Sequence, residues 1–292
     1  MRGRVADGAA SNPDCRSFPA LTAASYTPRM DNPAETYESY MVPVLFAPSA
    51  ERLIALARPL PSERVLDVGC GTGIAARQAA PRVGSGGRVV GLDASPGMVA
   101  VARAVAGREG LTIDWKQGRA EALPFADGAF DLILCQYALM FFADPSAALA
   151  EMRRVLADRG RAVVSVWQGI ERHPFYALLD RAIARHLGAS GVQDIFRLGD
   201  AAELRDRVAK AGFRHIEIEP FELLARFPEP EAFLAGEIDV DTAAIPAMQH
   251  LGAAARADLT AKIRSEMAEP LRAATVSGHV QLPFHAHLVR AS

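Results

Sequence analysis

Cysteine is scarce: Cys15, Cys70 and Cys135 are the only three in 292 residues. They form no paired framework and no zinc-ligand spacing, so no metal site is expected, and free thiols in a reducing, cytoplasmic setting are. An excess of one charge is missing too. The formal net charge is −2, with arginines spread along the chain. That argues against a broad phosphate-binding face and a nucleic-acid partner, though not against a single nucleotide pocket. No apolar run approaches the ~20 residues that cross a bilayer. The first 30 residues lack the apolar core of a secretion signal; they are small, polar and without periodicity, and read as a flexible arm. The rest, 31–292, has the composition of one globular domain, half of the chain being hydrophobic and 23% charged.

What is present is a strand that runs straight into glycines. Val65-Leu-Asp-Val-Gly-Cys-Gly-Thr-Gly73 places Gly69, Gly71 and Gly73 on alternate positions, with Asp67 just upstream. A turn free of side chains lets backbone approach a ligand closely. Downstream, Arg88-Val-Val-Gly-Leu-Asp93 is a second apolar strand ending in an acid, where a carboxylate can accept ribose hydroxyls. The dinucleotide fingerprint asks for glycine at the first, third and sixth positions, and counting from Gly69 the sixth is Ile74. The pattern is Asp-x-Gly-x-Gly-x-Gly instead.

Strand-like runs alternate with helical patterns from about 62 to 167, the signature of an α/β, Rossmann-like doubly wound sheet. Strands are expected at 64–68, 88–92, 111–116, 130–135 and 161–167. Ser95-Pro96 and Asp144-Pro145 each open a helix, with Gly107 and Gly160 as the expected stops. Asp200-Ala-Ala-Glu203 is a capping box. Alternation over 213–222 and 280–289 predicts two late strands, the last one antiparallel. Helices about 34–57, within 168–199 (Pro174 to Leu187) and within 228–279 (Leu259, Ile263, Met267) fall outside the alternation and are candidate lid segments, because insertions at the carboxyl edge of such a sheet cover its crevice.

Five stretches together carry a family resemblance: 65–73, Val90-Gly-Leu-Asp-Ala-Ser-Pro-Gly-Met98, Ala120-Glu-Ala-Leu-Pro-Phe125, Phe130-Asp-Leu-Ile-Leu-Cys-Gln136 and Glu151-Met-Arg-Arg-Val-Leu156. From about 35 to 222 the chain resembles the class I S-adenosylmethionine-dependent methyltransferases, in the branch that includes quinone-biosynthesis and other small-molecule enzymes. The resemblance implies S-adenosyl-L-methionine as cofactor. It puts the turn from Gly69 through Cys70 and Gly71 to Gly73 against methionine and ribose, with Asp67 organising the turn or binding the amino group through water. Asp93 would take both ribose hydroxyls, and Ala94 and Met98 would flank the adenine. Ala120 and Glu121 would read the adenine edge, and Gln136 would stand beside the sulfonium. The family often has Asp just before Ala120; here Arg119, a donor only, stands there.

Methyl transfer from a sulfonium is an in-line displacement, and a protein base is dispensable for many acceptors. The base candidates are His173 first, then Tyr137 and the C-terminal His279, His285 and His287; His285 and His287 share a strand face without companion ligands. The expected activity is methylation of O, N or C on a small, aromatic or apolar molecule by a monomer or homodimer. A non-catalytic cofactor-binding protein is the alternative. A nicotinamide-dependent oxidoreductase is weakened by the missing sixth-position glycine and the lack of a Tyr-x-x-x-Lys pair. No Asn/Asp-Pro-Pro-Tyr turn follows the fourth strand, where a nucleic-acid methyltransferase would carry it.

Overall fold

The computed structural model describes residues 32–188, 192–244 and 251–292. The expected N-terminal arm and Cys15 lie outside them. In chain order the elements are α1 (Pro33–Ala57), β1 (Arg64–Val68), α2 (Ile74–Val83), β2 (Arg88–Asp93), α3 (Pro96–Arg108), β3 (Asp114–Gln117), β4 (Phe130–Gln136), α4 (Pro145–Val155) and β5 (Leu156–Trp167). There follow α5 (Pro174–Leu187), α6 (Ala201–Lys210), β6 (Ile216–Pro228), α7 (Pro230–Ala244), α8 (Ala253–Ala274), the two-residue β7 (Thr275–Val276) and β8 (His279–Ala291).

The sheet order is β3-β2-β1-β4-β5-β8-β6, with β7 paired to β8. β1 to β5 are parallel. β8 runs antiparallel between β5 and β6, as the alternation in the last strand predicts. Central strands covered on both faces must be apolar throughout, and Val65, Leu66 and Val68 are fully buried. The order reverses between β1 and β4, which opens a crevice at their carboxyl ends, where α/β sheets bind ligands.

Several boundaries differ from expectation. α4 ends at Val155 rather than at Gly160. Leu156 continues the apolar stripe of the helix, but it pairs with Phe130 and starts β5, and the register then jumps to Leu132 opposite Arg161. Gly160 sits in that bulge, where an added Cβ would lie 2.5 Å from Leu156 Cδ1. α3 runs through Gly107 to Arg108, and the left-handed Gly110 (φ 68°) follows it. β3 starts at Asp114, not 111, and β6 and β8 are longer than predicted. Of the capping box only the aspartate half forms: Asp200 accepts from the Ala202 and Glu203 amides, while Glu203 turns to Arg207.

Each of the three candidate lid segments carries a helix where described. α5 has the predicted bounds, and Leu259, Ile263 and Met267 form the buried stripe of α8. α1 is π-helical over Tyr37–Phe46. α1 is long and apolar enough, by length and composition alone, to cross a membrane, but half of that apolar window is buried within the protein.

Candidate functional site

The turn after β1 is held by its own backbone. The Gly69 and Cys70 amides both donate to the Leu92 carbonyl at the end of β2 (2.8 and 3.0 Å). Gly69, Gly71 and Gly73 all take positive φ (67°, 55° and 88°), the region open mainly to glycine. Asp93 closes the assembly: Oδ2 accepts from the Gly71 amide and Oδ1 from the Ser95 amide, both at 2.8 Å. Burial pushes its carboxyl above the usual range while those amides pull it back. Each oxygen keeps a further lone pair for a ligand.

Asp67 is buried beneath the turn. Its Oδ2 accepts from the Ala76 amide in the first turn of α2 (3.0 Å), and Oδ1 is buried with no partner among the described residues. Burial pushes this acid up to about 7, against the pull of the Ala76 bond.

A cavity of about 560 Å³ opens above the turn, within the size range of small-ligand sites. Among the predicted residues, Gly69, Gly71, Asp93, Ala94 and Met98 line one side of it. Ala120, Glu121, Gln136 and Tyr137 line the other. Asp67, Cys70 and Gly73 do not line it. Cys70 points inward, and burial holds its thiol well above the ordinary value. Cys135 is also buried and unpaired. At Gly73 a Cβ would fall 2.2 Å from the Trp115 ring, so this glycine admits an indole under the turn rather than a ligand above it.

Residues the sequence reading did not single out also line the cavity. Tyr37 of α1 lies opposite Gly71, whose Cβ would come 3.8 Å from its ring. Burial, with Glu38, Asp93 and Asp67 nearby, drives its phenol pKa far above the ordinary value. Nothing in the apolar spacing of α1 distinguishes this tyrosine from core. Gln136 donates through Nε2 to the Phe46 carbonyl of α1 (2.8 Å), and its Oε1 is buried with no partner among the described residues.

Arg119 and Glu121 form an ion pair at 3.4 Å. Burial raises the Glu121 pKa, but amide bonds and Arg119 outweigh it and hold the group below the usual range. Its Oε1 accepts from the Ala143 amide (2.9 Å), tying the 120s loop to the segment before α4. Glu121→Ala is therefore expected to weaken S-adenosylhomocysteine binding about tenfold, the scale of one charge-assisted hydrogen bond, and more than Arg119→Ala does. Calorimetric titration of both variants decides it; the reverse order refutes the assignment.

The base candidates fare differently. Tyr137 lines the cavity at a left-handed φ of 47° and stacks on Trp167, centroids 3.7 Å apart and planes 8° from parallel. Burial drives its phenol pKa far up, with the Ser49 hydroxyl as a counteracting neighbour. Burial favours its neutral form, and its ring makes a flat wall of the cavity. His173 is 1% exposed and outside this cavity. Its Nδ1 meets the Gly169 carbonyl (3.2 Å) and its Nε2 accepts from the His285 amide (3.0 Å). Both ring nitrogens are in use, so it pins the start of α5 to β8. His287 Nε2 bonds the Gly199 carbonyl instead (2.9 Å), which separates it from His285 in role.

Burial pushes His173 down to about 4. In the unfolded chain it titrates near the ordinary ~6.5. Its neutral form therefore stabilises the fold fully above pH ~6.5, and that contribution, up to about 3 kcal/mol, is lost as pH falls toward 4. Thermal melts between pH 7.5 and 4.5 should show a shallower acid loss for His173→Gln than for the parent. Parallel curves would contradict this.

Residues 66–164 match the family model described as a methyltransferase domain. Over 136 residues the chain is 38% identical to aklanonic acid methyltransferase DauC of a Streptomyces species, a match covering 46% of this chain and 61% of that one. It is 42% identical over 113 residues to demethylmenaquinone methyltransferase of Thermus thermophilus, covering 39% and 51%. The match thus spans between half and two thirds of the length of these curated relatives. The crystal structure of YcgJ protein from Bacillus subtilis superposes with a TM-score of 0.57 at 22% identity, covering 83% of this chain and 97% of that one, which is a likeness of fold. Sequence match and sheet order agree: residues 66–164 are similar to methyltransferase domains, and the fold around them is Rossmann-like.

Proposed function

We propose that the protein is an S-adenosylmethionine-dependent methyltransferase acting on an O, N or C atom of a small, planar, largely apolar molecule. One observation carries this reading over a nicotinamide enzyme. The first turn of α2, where a pyrophosphate would take the amides, is capped from within by buried Asp67. Among the described residues lining the cavity, the one guanidinium, that of Arg119, is already paired with Glu121. A pocket whose described lining carries Asp93 and Glu121 and no unpaired cation suits a cationic ligand and repels a diphosphate.

The residues fit such a ligand. Asp93, fixed by two amides, has lone pairs left for ribose hydroxyls. Gly71 lets the backbone come close beneath Tyr37. Ala94 and Met98 offer a small face and a polarisable thioether to an aromatic base. When bound, the donor supplies a methyl group already activated by the positive sulfur. What the protein adds is alignment and exclusion of water: Tyr137 on Trp167 forms a flat wall beside Gln136, and α1 closes the mouth through Tyr37. The two named relatives methylate small molecules, in line with this acceptor class. The three helical segments serve as lid.

The test is incubation of the purified protein with methyl-labelled donor and a panel of phenols, quinones, amines and carboxylates. Label in an acceptor supports the proposal. Tight binding of donor and product with no transfer to any acceptor favours the non-catalytic binding protein. Binding of NADH in place of S-adenosylhomocysteine overturns both.

A further inference from the structure

A second set of buried groups lies beyond Tyr137, away from the cofactor cavity. Trp167, stacked on Tyr137, meets Phe284 (centroids 5.3 Å), and Phe284 meets Tyr176 (5.5 Å). The Tyr176 hydroxyl donates to Glu237 Oε2 at 2.9 Å. Glu237 stands one turn after Phe233 on α7, so both project from one face. Phe233 in turn packs on Phe227 (4.7 Å) and Phe175 (5.5 Å). A carboxyl 3% exposed is thus set into an aromatic wall built from β5, α5, β6, α7 and β8.

One oxygen of that carboxyl is satisfied. The other, Oε1, is buried with no partner among the described residues. Leaving it unmet is costly, and an apolar side chain would suit those rings better, so packing does not account for it. The placement does. A run of packed rings (Tyr137, Trp167, Phe284, Tyr176) links Glu237 to the wall of the cofactor cavity, and α7 falls in a segment that the lid assignment puts over the acceptor.

We infer that Glu237 is the recognition residue for the methyl acceptor, its Oε1 accepting a hydrogen bond from a hydroxyl on a planar, otherwise apolar molecule held among the surrounding rings. This rests on the methyltransferase reading and narrows it to a class. A neutral hydroxylated aromatic offers a flat face to the rings and a donor to the acid. Its methyl ether lacks the donor. The corresponding carboxylate brings a second negative charge to a buried acid, a costly pairing.

Three probes sharing one ring system test this: 1-naphthol, 1-methoxynaphthalene and 1-naphthoate. Each is titrated calorimetrically into the full chain with S-adenosylhomocysteine present, at pH 8.5, above the value of about 7 to which burial raises the carboxyl. The expected result is 1-naphthol binding about tenfold tighter than its ether, as one hydrogen bond to a charged group requires, with 1-naphthoate weakest. In Glu237→Gln the amide oxygen takes the Tyr176 hydroxyl and presents NH₂ to the acceptor, so the preference falls below about threefold. In Tyr176→Phe, where Oε1 is intact, the preference persists. The parent protein alone can overturn the inference, by binding naphthol and ether equally. So can Glu237→Gln, by keeping the preference, or Tyr176→Phe, by losing it. Failure of S-adenosylhomocysteine to bind in the first step refutes the methyltransferase reading instead, so the two failures are separable.

Discussion

Asp93→Ala should lower affinity for S-adenosylhomocysteine about 100-fold or more while leaving the fold intact. The carboxylate has two tasks. It takes the Gly71 amide on one oxygen and the Ser95 amide on the other, and its remaining lone pairs face the cavity where ribose would lie. Two charge-assisted hydrogen bonds to ligand are together worth about 3 kcal/mol or more, which is roughly two orders of magnitude in the dissociation constant. Removal also frees the Gly71 amide, so the turn loses its preset shape and the loss should exceed the ligand bonds alone. Asp93→Asn keeps one acceptor oxygen and should fall between parent and alanine variant. Calorimetric titration gives the order; an alanine variant within threefold of the parent would remove Asp93 from the binding site. Because Asp93 is partly exposed at the strand end and bonds only local amides, melting temperature should move little by comparison.

The second large effect is the reverse: stability falls although the ligand is untouched. Gly73→Ala puts a Cβ 2.2 Å from the Trp115 ring at a φ of 88°. Left-handed backbone costs an alanine about 1 kcal/mol, and overpacking of a tight site about 1–3 kcal/mol more. The sum, ~3 kcal/mol, corresponds to a melting temperature lower by roughly 6–12 °C in a chain of this size. Trp115→Ala relieves the clash but not the backbone strain. The double variant should therefore be less destabilised than the two single changes added, by about 1 kcal/mol or more. Strict additivity in denaturant melts would show that the indole does not set the need for glycine at this position.

These two cases mark how far the residues themselves disclosed the structure. β1, β2, β4 and α5 were legible because each is fixed by local pattern, an apolar run or a helix opened by proline. The start of β5 was not. Leu156 fits the helical stripe of Leu149, Met152 and Val155 equally well, and only its pairing with Phe130, far back in the chain, turns it into a strand. The site divides along the same line. The turn and Asp93 are local and could be read. Gly73 reads as ligand-facing in the sequence because glycine on alternate positions looks alike whether it admits a cofactor or an indole. Tyr37 and Glu237 act through partners on other elements, Gly71 in one case and Tyr176 in the other, and their own neighbours in sequence look like ordinary helix. His173 differs for a related reason: the sequence places it just past β5, but does not show its bond to the amide of His285.

The place of β8 in the sheet bears on how the protein is made. This strand occupies an interior slot between β5 and β6, yet it is translated after both. Until residues 279–291 clear the ribosome, the apolar edge of β5 and the alternating edge of β6 both stay open, templates for mispairing with other nascent chains. Because α5 is fastened to that same strand through His173, its docking also waits for residues 279–291, and the far half of the sheet and this helix settle together.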